Sequence, residues 1–128
     1  MANIVILGAG LGGMPMAYEM KELLRAGDTV TVLGQGPNYH FVPSNPWVAV
    51  SWRKRKDIEF PVAPYLEKKG IRYNPTGARR VHPDRNAVEL NDGSTLPYDY
   101  LVIATGPKLA FDEIEGLGPN GHTHSICH

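Results

Sequence analysis

The chain has almost no cysteine, no long apolar run and no net charge. Its single cysteine, Cys127, cannot form a disulfide within the chain, so a disulfide-stabilised scaffold is excluded. No apolar stretch approaches the roughly 18 residues of a membrane-spanning helix, and no signal peptide is recognisable. The 13 basic and 13 acidic residues balance, which removes any general attraction to nucleic acid or anionic lipid. We therefore expect a soluble globular domain with a modest core.

A glycine-rich turn near the start of the chain carries the strongest functional signal. Residues 3–7 predict a short strand, glycines follow at positions 8, 10 and 13, and a helical pattern begins at Met14. In such a turn Gly8 permits the sharp bend, Gly10 lets phosphates approach the backbone, and Gly13 lets helix and strand pack closely. The helix N-terminus adds free N–H groups and partial positive charge. The pattern predicts a pyrophosphate site; a glycine-rich turn without a ligand is the alternative.

The first part of the chain reads as a βαβ unit. The helical pattern covers residues 11–25 and ends at Gly27, and the β-branched segment Thr29–Leu33 predicts a second strand. A strand, a helix and a strand in this order imply a parallel pair with a right-handed crossover. A short third strand is predicted at residues 71–73.

The second half departs from a plain alternation of strands and helices. Three short extended segments are separated by turn-forming residues, and residues 101–104 then predict a buried parallel strand. The extended segments are Ala78–His82, Ala87–Leu90 and Thr95–Pro97. The whole pattern predicts an α/β, Rossmann-like domain, a parallel sheet with an antiparallel β-meander crossover, whose ligands lie at the carboxyl ends of the strands.

The connecting segment, residues 34–51, is rich in glycine, proline and aromatic side chains. Because residues 41–47 contain two prolines, we do not expect a regular element there. The segment is interpreted as a packed loop that either covers its own core or faces a ligand. After it, Asp57 is a candidate cap for a helix that enters through Pro61 and runs to Lys69.

The predicted domain spans residues 1–110, and residues 111–128 are expected to be an irregular tail. Four side chains in that tail are potential metal ligands, but their spacing matches no standard zinc pattern. They are His122, His124, Cys127 and His128. We expect no metal site.

Four segments resemble one family of flavoproteins. The glycine motif, the β-meander and YDYLVIATG, residues 98–106, resemble the FAD-binding half of flavoproteins with two dinucleotide-binding domains. Within that group, FVPSNPWVAV, FPVAPYLEKKGI, YDYLVIATGPKLAF and the late SIC resemble the sulfide:quinone oxidoreductases. The resemblance covers the whole chain, and VPSNPWV and the cysteine are its specific parts.

The resemblance implies an FAD site with several parts. The turn glycines would lie along the pyrophosphate, Gly34 and Gln35 would face the adenosine ribose, and Ala78 would touch the adenine. Residues of the connecting segment would approach the flavin, and those after the last strand would close over the pyrophosphate and the ribityl chain. The implied cofactor-binding residues are Gly8, Gly10, Leu11, Gly12, Gly13, Gly34, Gln35, Pro43, Asn45, Ala78, Ala104, Thr105 and Gly106.

Cys127 matches the first of the family's reactive cysteines. The resemblance implies sulfide oxidation through a thiolate, with electrons passing to FAD and then to quinone. It also implies a peripheral membrane protein in which the membrane contact comes from parts that this chain does not contain. Since related enzymes are about three times longer and use further cysteines, we expect an N-terminal fragment that is inactive alone, retains FAD weakly and self-associates through uncovered apolar surface.

Two features set limits on the assignment. Dinucleotide folds often carry an acidic residue at the end of the second strand, gripping the ribose, but that position is Gly34. No cysteine pair follows that strand, so a dithiol centre of the glutathione reductase type is absent. The alternatives are a flavocytochrome-type sulfide dehydrogenase, a type II NADH dehydrogenase, or a catalytically dead nucleotide-binding module. Cys127 argues against the NADH enzymes, and the missing export signal argues against the flavocytochrome type.

Overall fold

The computed structural model of the protein describes residues 1–123. Within them lie three α-helices and nine strands, joined by turns and short 3-10 helices. The helices are α1 Gly13–Leu23, α2 Asn45–Ala49 and α3 Ala63–Glu67. The strands are β1 Asn3–Leu7, β2 Thr29–Leu33, β3 Asn38–His40, β4 Glu59–Pro61, β5 Arg72–Asn74, β6 Ala78–His82, β7 Ala87–Leu90, β8 Thr95–Pro97 and β9 Tyr100–Ile103.

The described residues form two compact units. The first contains residues 1–39 and 60–106, and it holds the main sheet and the predicted glycine turn. The second contains residues 40–59 and continues from residue 107. The chain passes between the units within β3 and β4, which pair as a two-stranded ribbon.

The first unit is built on a parallel sheet with the strand order β5-β2-β1-β9. β1 pairs in parallel with β2 and with β9, so all three strands run in the same direction. Ile6 of β1 lies opposite Val32 of β2 and Val102 of β9. Because neighbouring parallel strands end at the same edge of the sheet, residues that follow β1, β2 and β9 come together there. The sequence predicted this sheet and its first two strands correctly.

Both faces of the sheet are covered, which explains the continuous apolar runs of β1 and β2. On one face Ile4 and Ile6 pack with Met14 and Ala17 of α1. On the other face Val5 and Leu7 pack with residues of the antiparallel sheet formed by β6, β7 and β8. This second sheet is the predicted β-meander, and its three strands have the predicted bounds.

The predicted irregular loop at residues 41–47 is wrong. A 3-10 helix forms at Val42–Ser44 and α2 follows directly at Asn45–Ala49. Each proline lies in the first turn of its helix, where a missing N–H removes no intrahelical hydrogen bond. The two prolines therefore begin helices here instead of preventing them.

The predicted helix between Asp57 and Lys69 is also wrong in its extent. Asp57 ends a 3-10 helix, accepting a hydrogen bond from the backbone N–H of Lys54 at 2.8 Å. The chain then extends as β4 before α3 begins at Ala63, and Gly70 reverses it with a φ of +67°. Because Pro64 is in the first turn of α3, its missing N–H costs no hydrogen bond there.

The prediction of a buried last strand needs correction. β9 is parallel, as predicted, and pairs with β1, but it is the edge of the described sheet. Leu101 and Val102 are therefore half-buried, and Tyr100 and Ile103 are 66% and 65% exposed. In residues 1–123, no helix is both long enough and apolar enough to span a membrane.

Candidate dinucleotide site

The turn after β1 has a backbone that only glycine adopts easily. Gly8 has a φ of +112°, a conformation that side chains disfavour. Its N–H donates to the carbonyl of Leu33 at 2.8 Å, which ties the turn to the end of β2. A Cβ at this position would overlap the carbonyl oxygen of Ala104, at the end of β9. Both the backbone conformation and the lack of room for a Cβ therefore require glycine at position 8.

Gly13 brings α1 close to the turn. It is buried, and a Cβ on it would overlap the carbonyl oxygen of Gly8 and lie 3.5 Å from the side chain of Ile6. The N–H of Met14 donates to the carbonyl of Gly10 at 3.0 Å, closing the first turn. The close contact directs the N-terminus of α1 to the edge of the sheet. There the aligned peptide dipoles of α1 place partial positive charge.

Gly10, between these two, faces open space. A Cβ on it would meet no atom within 4 Å, and its φ lies outside the left-handed range. Neither backbone conformation nor packing therefore requires glycine at this position. This open, N–H-rich bend fits an anionic diphosphate.

A cleft of about 240 Å³ opens beside the turn. Its lining comes from the ends of β1 and β2, the start of the meander and the residue after Ala104. The lining residues are Leu7, Gly8, Ala9, Leu33, Gly34, Gln35, Gly77, Ala78 and Thr105. Five of the predicted site residues therefore meet in one cleft: Gly8, Gly34, Gln35, Ala78 and Thr105. None of the nine lining side chains is ionisable.

The remaining predicted residues of the first unit lie outside the lining of this cleft but close to it in sequence. Leu11 and Gly12 belong to the same turn, and Leu11 is 54% exposed. The N–H of Ala104 donates to the carbonyl of Leu7 at 2.8 Å, extending the sheet by one residue. Gly106 is exposed and has a φ of +73°, so it turns the chain away after Thr105.

Tyr73 is a residue of this region that the sequence reasoning missed. Its hydroxyl donates to the carbonyl of Gly36 at 2.7 Å, and burial raises the pKa of Tyr73, which keeps the hydroxyl protonated. A Cβ on Gly34 would overlap that hydroxyl. The sequence did contain a signal for it, because Tyr73 ends the predicted third strand. Parallel strands end at one edge of the sheet, so Tyr73 could have been placed at this site.

Pro43 and Asn45 belong to the second unit. Pro43 is exposed, and Asn45 is 9% exposed with its Oδ1 2.6 Å from Nε2 of His40. Nδ1 of His40 lies 3.2 Å from a Glu59 carboxylate oxygen, which also accepts from Nε of Arg55 at 2.6 Å. These hydrogen bonds, first from Arg55 and then from His40, lower the pKa of Glu59. The network fixes the orientation of the Asn45 amide.

Cys127 lies outside the described residues, as do His124 and His128. Within residues 1–123, no three side chains of the types that bind metals are grouped to hold an ion.

The parallel sheet, the glycine turn and the meander together define a Rossmann-like dinucleotide-binding fold, as the sequence predicted. The chain belongs to the pyridine nucleotide-disulphide oxidoreductase family, because the sequence model of that family matches residues 2–128. It is therefore a member of an oxidoreductase family.

Comparison with individual proteins confirms the predicted resemblance. A sulfide-quinone reductase of Aquifex aeolicus (strain VF5) is 38% identical over 125 residues, 98% of this chain and 28% of the relative. A mitochondrial sulfide:quinone oxidoreductase of Dictyostelium discoideum is 28% identical over 130 residues, covering 98% of this chain and 28% of the relative.

A solved structure agrees. The X-ray structure of the sulfide:quinone oxidoreductase from the hyperthermophilic bacterium Aquifex aeolicus matches with a TM-score of 0.90 and 38% sequence identity, covering 100% of this chain and 29% of that chain. The chain thus spans little more than a quarter of the length of these relatives.

Proposed function

We propose that this chain is the N-terminal FAD-binding part of a sulfide:quinone oxidoreductase. The observation that carries the proposal is the open space in front of Gly10, at the end of a parallel sheet and beside the N-terminus of α1. The 38% identity to the Aquifex sulfide-quinone reductase supports the choice among flavoproteins.

Each group of predicted site residues is assigned one part of the proposed cofactor. The turn from Gly8 to Gly13 holds the diphosphate through backbone N–H groups. Gly34, Gln35 and Ala78 face the adenosine, and the stretch Ala104, Thr105 and Gly106 closes over the diphosphate and ribityl chain. Pro43 and Asn45 contact the flavin, with the Asn45 amide oriented by His40.

The proposed chemistry joins two substrates. When bound, FAD supplies two-electron redox chemistry, accepting an electron pair from sulfide sulfur and passing it to quinone, which takes up two protons to become quinol. Cys127, as a thiolate, would form an S–S bond with the sulfide sulfur only as an electron pair leaves the two sulfurs for FAD and a proton is released. The backbone turn would position the cofactor, and the uncharged cleft would face its adenosine end.

The Gly10 position gives a sharp test of the proposed cofactor. In the natural protein that carries this sequence, Gly10→Val should abolish the visible flavin absorbance. The flavin-free variant should have the same unfolding midpoint as the flavin-free parent, because a Cβ at this position meets no protein atom within 4 Å. Leu23→Val, on the exposed side of α1, is the matched control and should retain flavin. Full flavin content in Gly10→Val would overturn the proposal.

The proposed substrate is tested by determining which reductant, sulfide or NADH, reduces the flavin. Anaerobic sulfide should bleach the flavin of the natural protein, and Cys127→Ser should keep its flavin but lose bleaching by sulfide. Bleaching by NADH but not by sulfide would instead identify a type II NADH dehydrogenase. A purified natural protein with no flavin would favour the nucleotide-binding module without catalysis.

A further inference from the structure

Gly34 stands where many dinucleotide folds have an acidic residue, and its backbone does not explain the glycine. Its φ lies outside the left-handed range, so a side chain would cause no conformational strain. Gly34 is buried, and its N–H donates to the carbonyl of Asn74 at 2.9 Å, as an extension of the β2–β5 pairing. Glycine at position 34 must therefore be explained by a lack of room for a side chain at its Cα.

That space is filled by Tyr73. A Cβ on Gly34 would overlap the Tyr73 hydroxyl and lie 3.0 Å from Cε2 of its ring. The ring cannot easily move away, because β5 pairs with β2 at this point and the hydroxyl donates to Gly36. The methyl group of Ala9, also 3.0 Å from the added Cβ, closes the other side.

The backbone beyond Gly34 is held in one conformation. Gln35 forms an antiparallel bridge with Thr76, and the N–H of Gly36 donates to the carbonyl of Pro75 at 2.8 Å. Gln35 is exposed and lines the cleft. The only side chain of residues 34–36 that carries hydrogen-bonding groups is therefore a neutral amide at the cleft wall.

We propose that Tyr73 is a specificity-determining residue: by occupying the space of a side chain at position 34, it keeps the ribose end of the cleft neutral. The inference rests on the proposed dinucleotide function and deepens it. An acidic residue at this place binds the ribose hydroxyls and repels a 2′-phosphate. With Gln35 and backbone groups instead, the cleft accepts an adenosine diphosphate without strong discrimination against a phosphate on the 2′ oxygen.

The first measurement is a double-mutant cycle on unfolding free energy, and it needs no ligand. Gly34→Ala should destabilise the protein in the presence of Tyr73. It should have a clearly smaller effect in the Tyr73→Ala background, since the overlap with the tyrosine hydroxyl is then gone and only the 3.0 Å approach of Ala9 remains. Tyr65→Ala, a change of another partly exposed tyrosine of the first unit, supplies the control background. Additive effects at positions 34 and 73 would overturn the steric part of the inference.

The second measurement compares the affinities of ADP and its 2′-phosphorylated analogue by calorimetry. The parent protein should discriminate less than about threefold, since the cleft lacks charge. The Gly34→Asp, Tyr73→Ala double variant should prefer ADP at least about tenfold, because a carboxylate then faces the phosphate. Strong preference for ADP in the parent would overturn this inference alone. A parent that binds neither compound would overturn the proposed function and the inference with it.

Discussion

Three glycines of one turn differ in what restricts them. Gly8 is held by a positive φ and by the Ala104 carbonyl, and Gly13 by the Gly8 carbonyl, whereas Gly10 is restricted by no protein atom within 4 Å. Two of these positions are therefore matters of folding. At the third, glycine is explained by the proposed diphosphate and not by the fold.

The distinction gives a prediction for Gly13→Ala. Helix propensity alone favours alanine by up to about 1 kcal/mol, but the new methyl group would overlap the Gly8 carbonyl oxygen. We expect a net destabilisation of about 1–3 kcal/mol, as for other overpacked sites, measured by urea unfolding. Gly12→Ala is the control, since its Cβ would make an ordinary contact of 3.6 Å with Ala104. Equal effects of the two changes would contradict the packing geometry.

The stability of the protein should depend on pH through Asp28, which lies just before β2, at the amino ends of the parallel strands. Its carboxylate accepts from the N–H of Ala2 at 2.7 Å and from that of Arg25 at 3.2 Å. The hydrogen bond from Ala2 chiefly lowers the pKa of Asp28 below its usual 3.8. A lowered pKa in the folded state stabilises the protein above the unfolded pKa, and this stability is lost as pH falls through the folded value.

The stability difference between the parent and Asp28→Asn should therefore be largest at neutral pH and shrink below about pH 4. Unfolding midpoints measured along a pH series test this, with Glu22→Gln on the exposed side of α1 as control. A difference that stays constant into acid would show that the Asp28 charge has no part in it.

At the residue scale, the sequence predicted which residues lie at the candidate site better than it predicted the contacts that they make. The glycines and Thr105 could be located because parallel strands end at a common edge. The contact between Tyr73 and Gly34 could not, because it depends on the register of β5 against β2 and on the ring's rotamer. Neither is encoded in spacing along the chain.

At the scale of elements, burial and turn chemistry decided what the sequence could predict. β1, β2 and the three meander strands have the predicted bounds because β-branched runs and turn residues such as Asn91–Gly93 delimit them. The short helices of the second unit were missed because prolines in a first helical turn look the same in a sequence as prolines that exclude a helix.

The meander should contribute stability as well as a wall of the cleft. Leu90 of β7 is 3% exposed and packs with Val5, Leu7 and Leu33 of the main sheet. Leu90→Ala should lower the free energy of unfolding by about 2–5 kcal/mol, through lost burial and the cavity that remains. Leu23→Ala, at a residue that is 78% exposed, should change it by less than about 0.5 kcal/mol. Similar losses would argue against a buried meander face.

At the scale of the molecule, the described sheet has open edges at β5 and β9. On β9 the side chains of Tyr100 and Ile103 are mostly exposed, and an exposed apolar edge strand favours association with another chain. We therefore still expect the isolated 128-residue chain to self-associate.

Ile103→Lys should reduce that association, since a charged side chain on an edge disfavours strand pairing between molecules. Sedimentation velocity over a range of concentrations measures the effect, with Ile114→Lys, at another exposed isoleucine outside the sheet, as the control. A parent chain that remains monomeric at high concentration would contradict the expectation.

Binding of a diphosphate by the turn between β1 and α1 underlies the whole proposed function. The direct measurement is an NMR titration of the nitrogen-labelled protein with ADP, following assigned backbone amides. We expect the largest shifts at the turn glycines, smaller shifts at Gly34 and Gln35, and none at the meander turn around Gly93. The turn glycines are Gly8, Gly10, Gly12 and Gly13. Binding of ADP that leaves the amides of the glycine turn unshifted, or the absence of any binding, would contradict the proposed function.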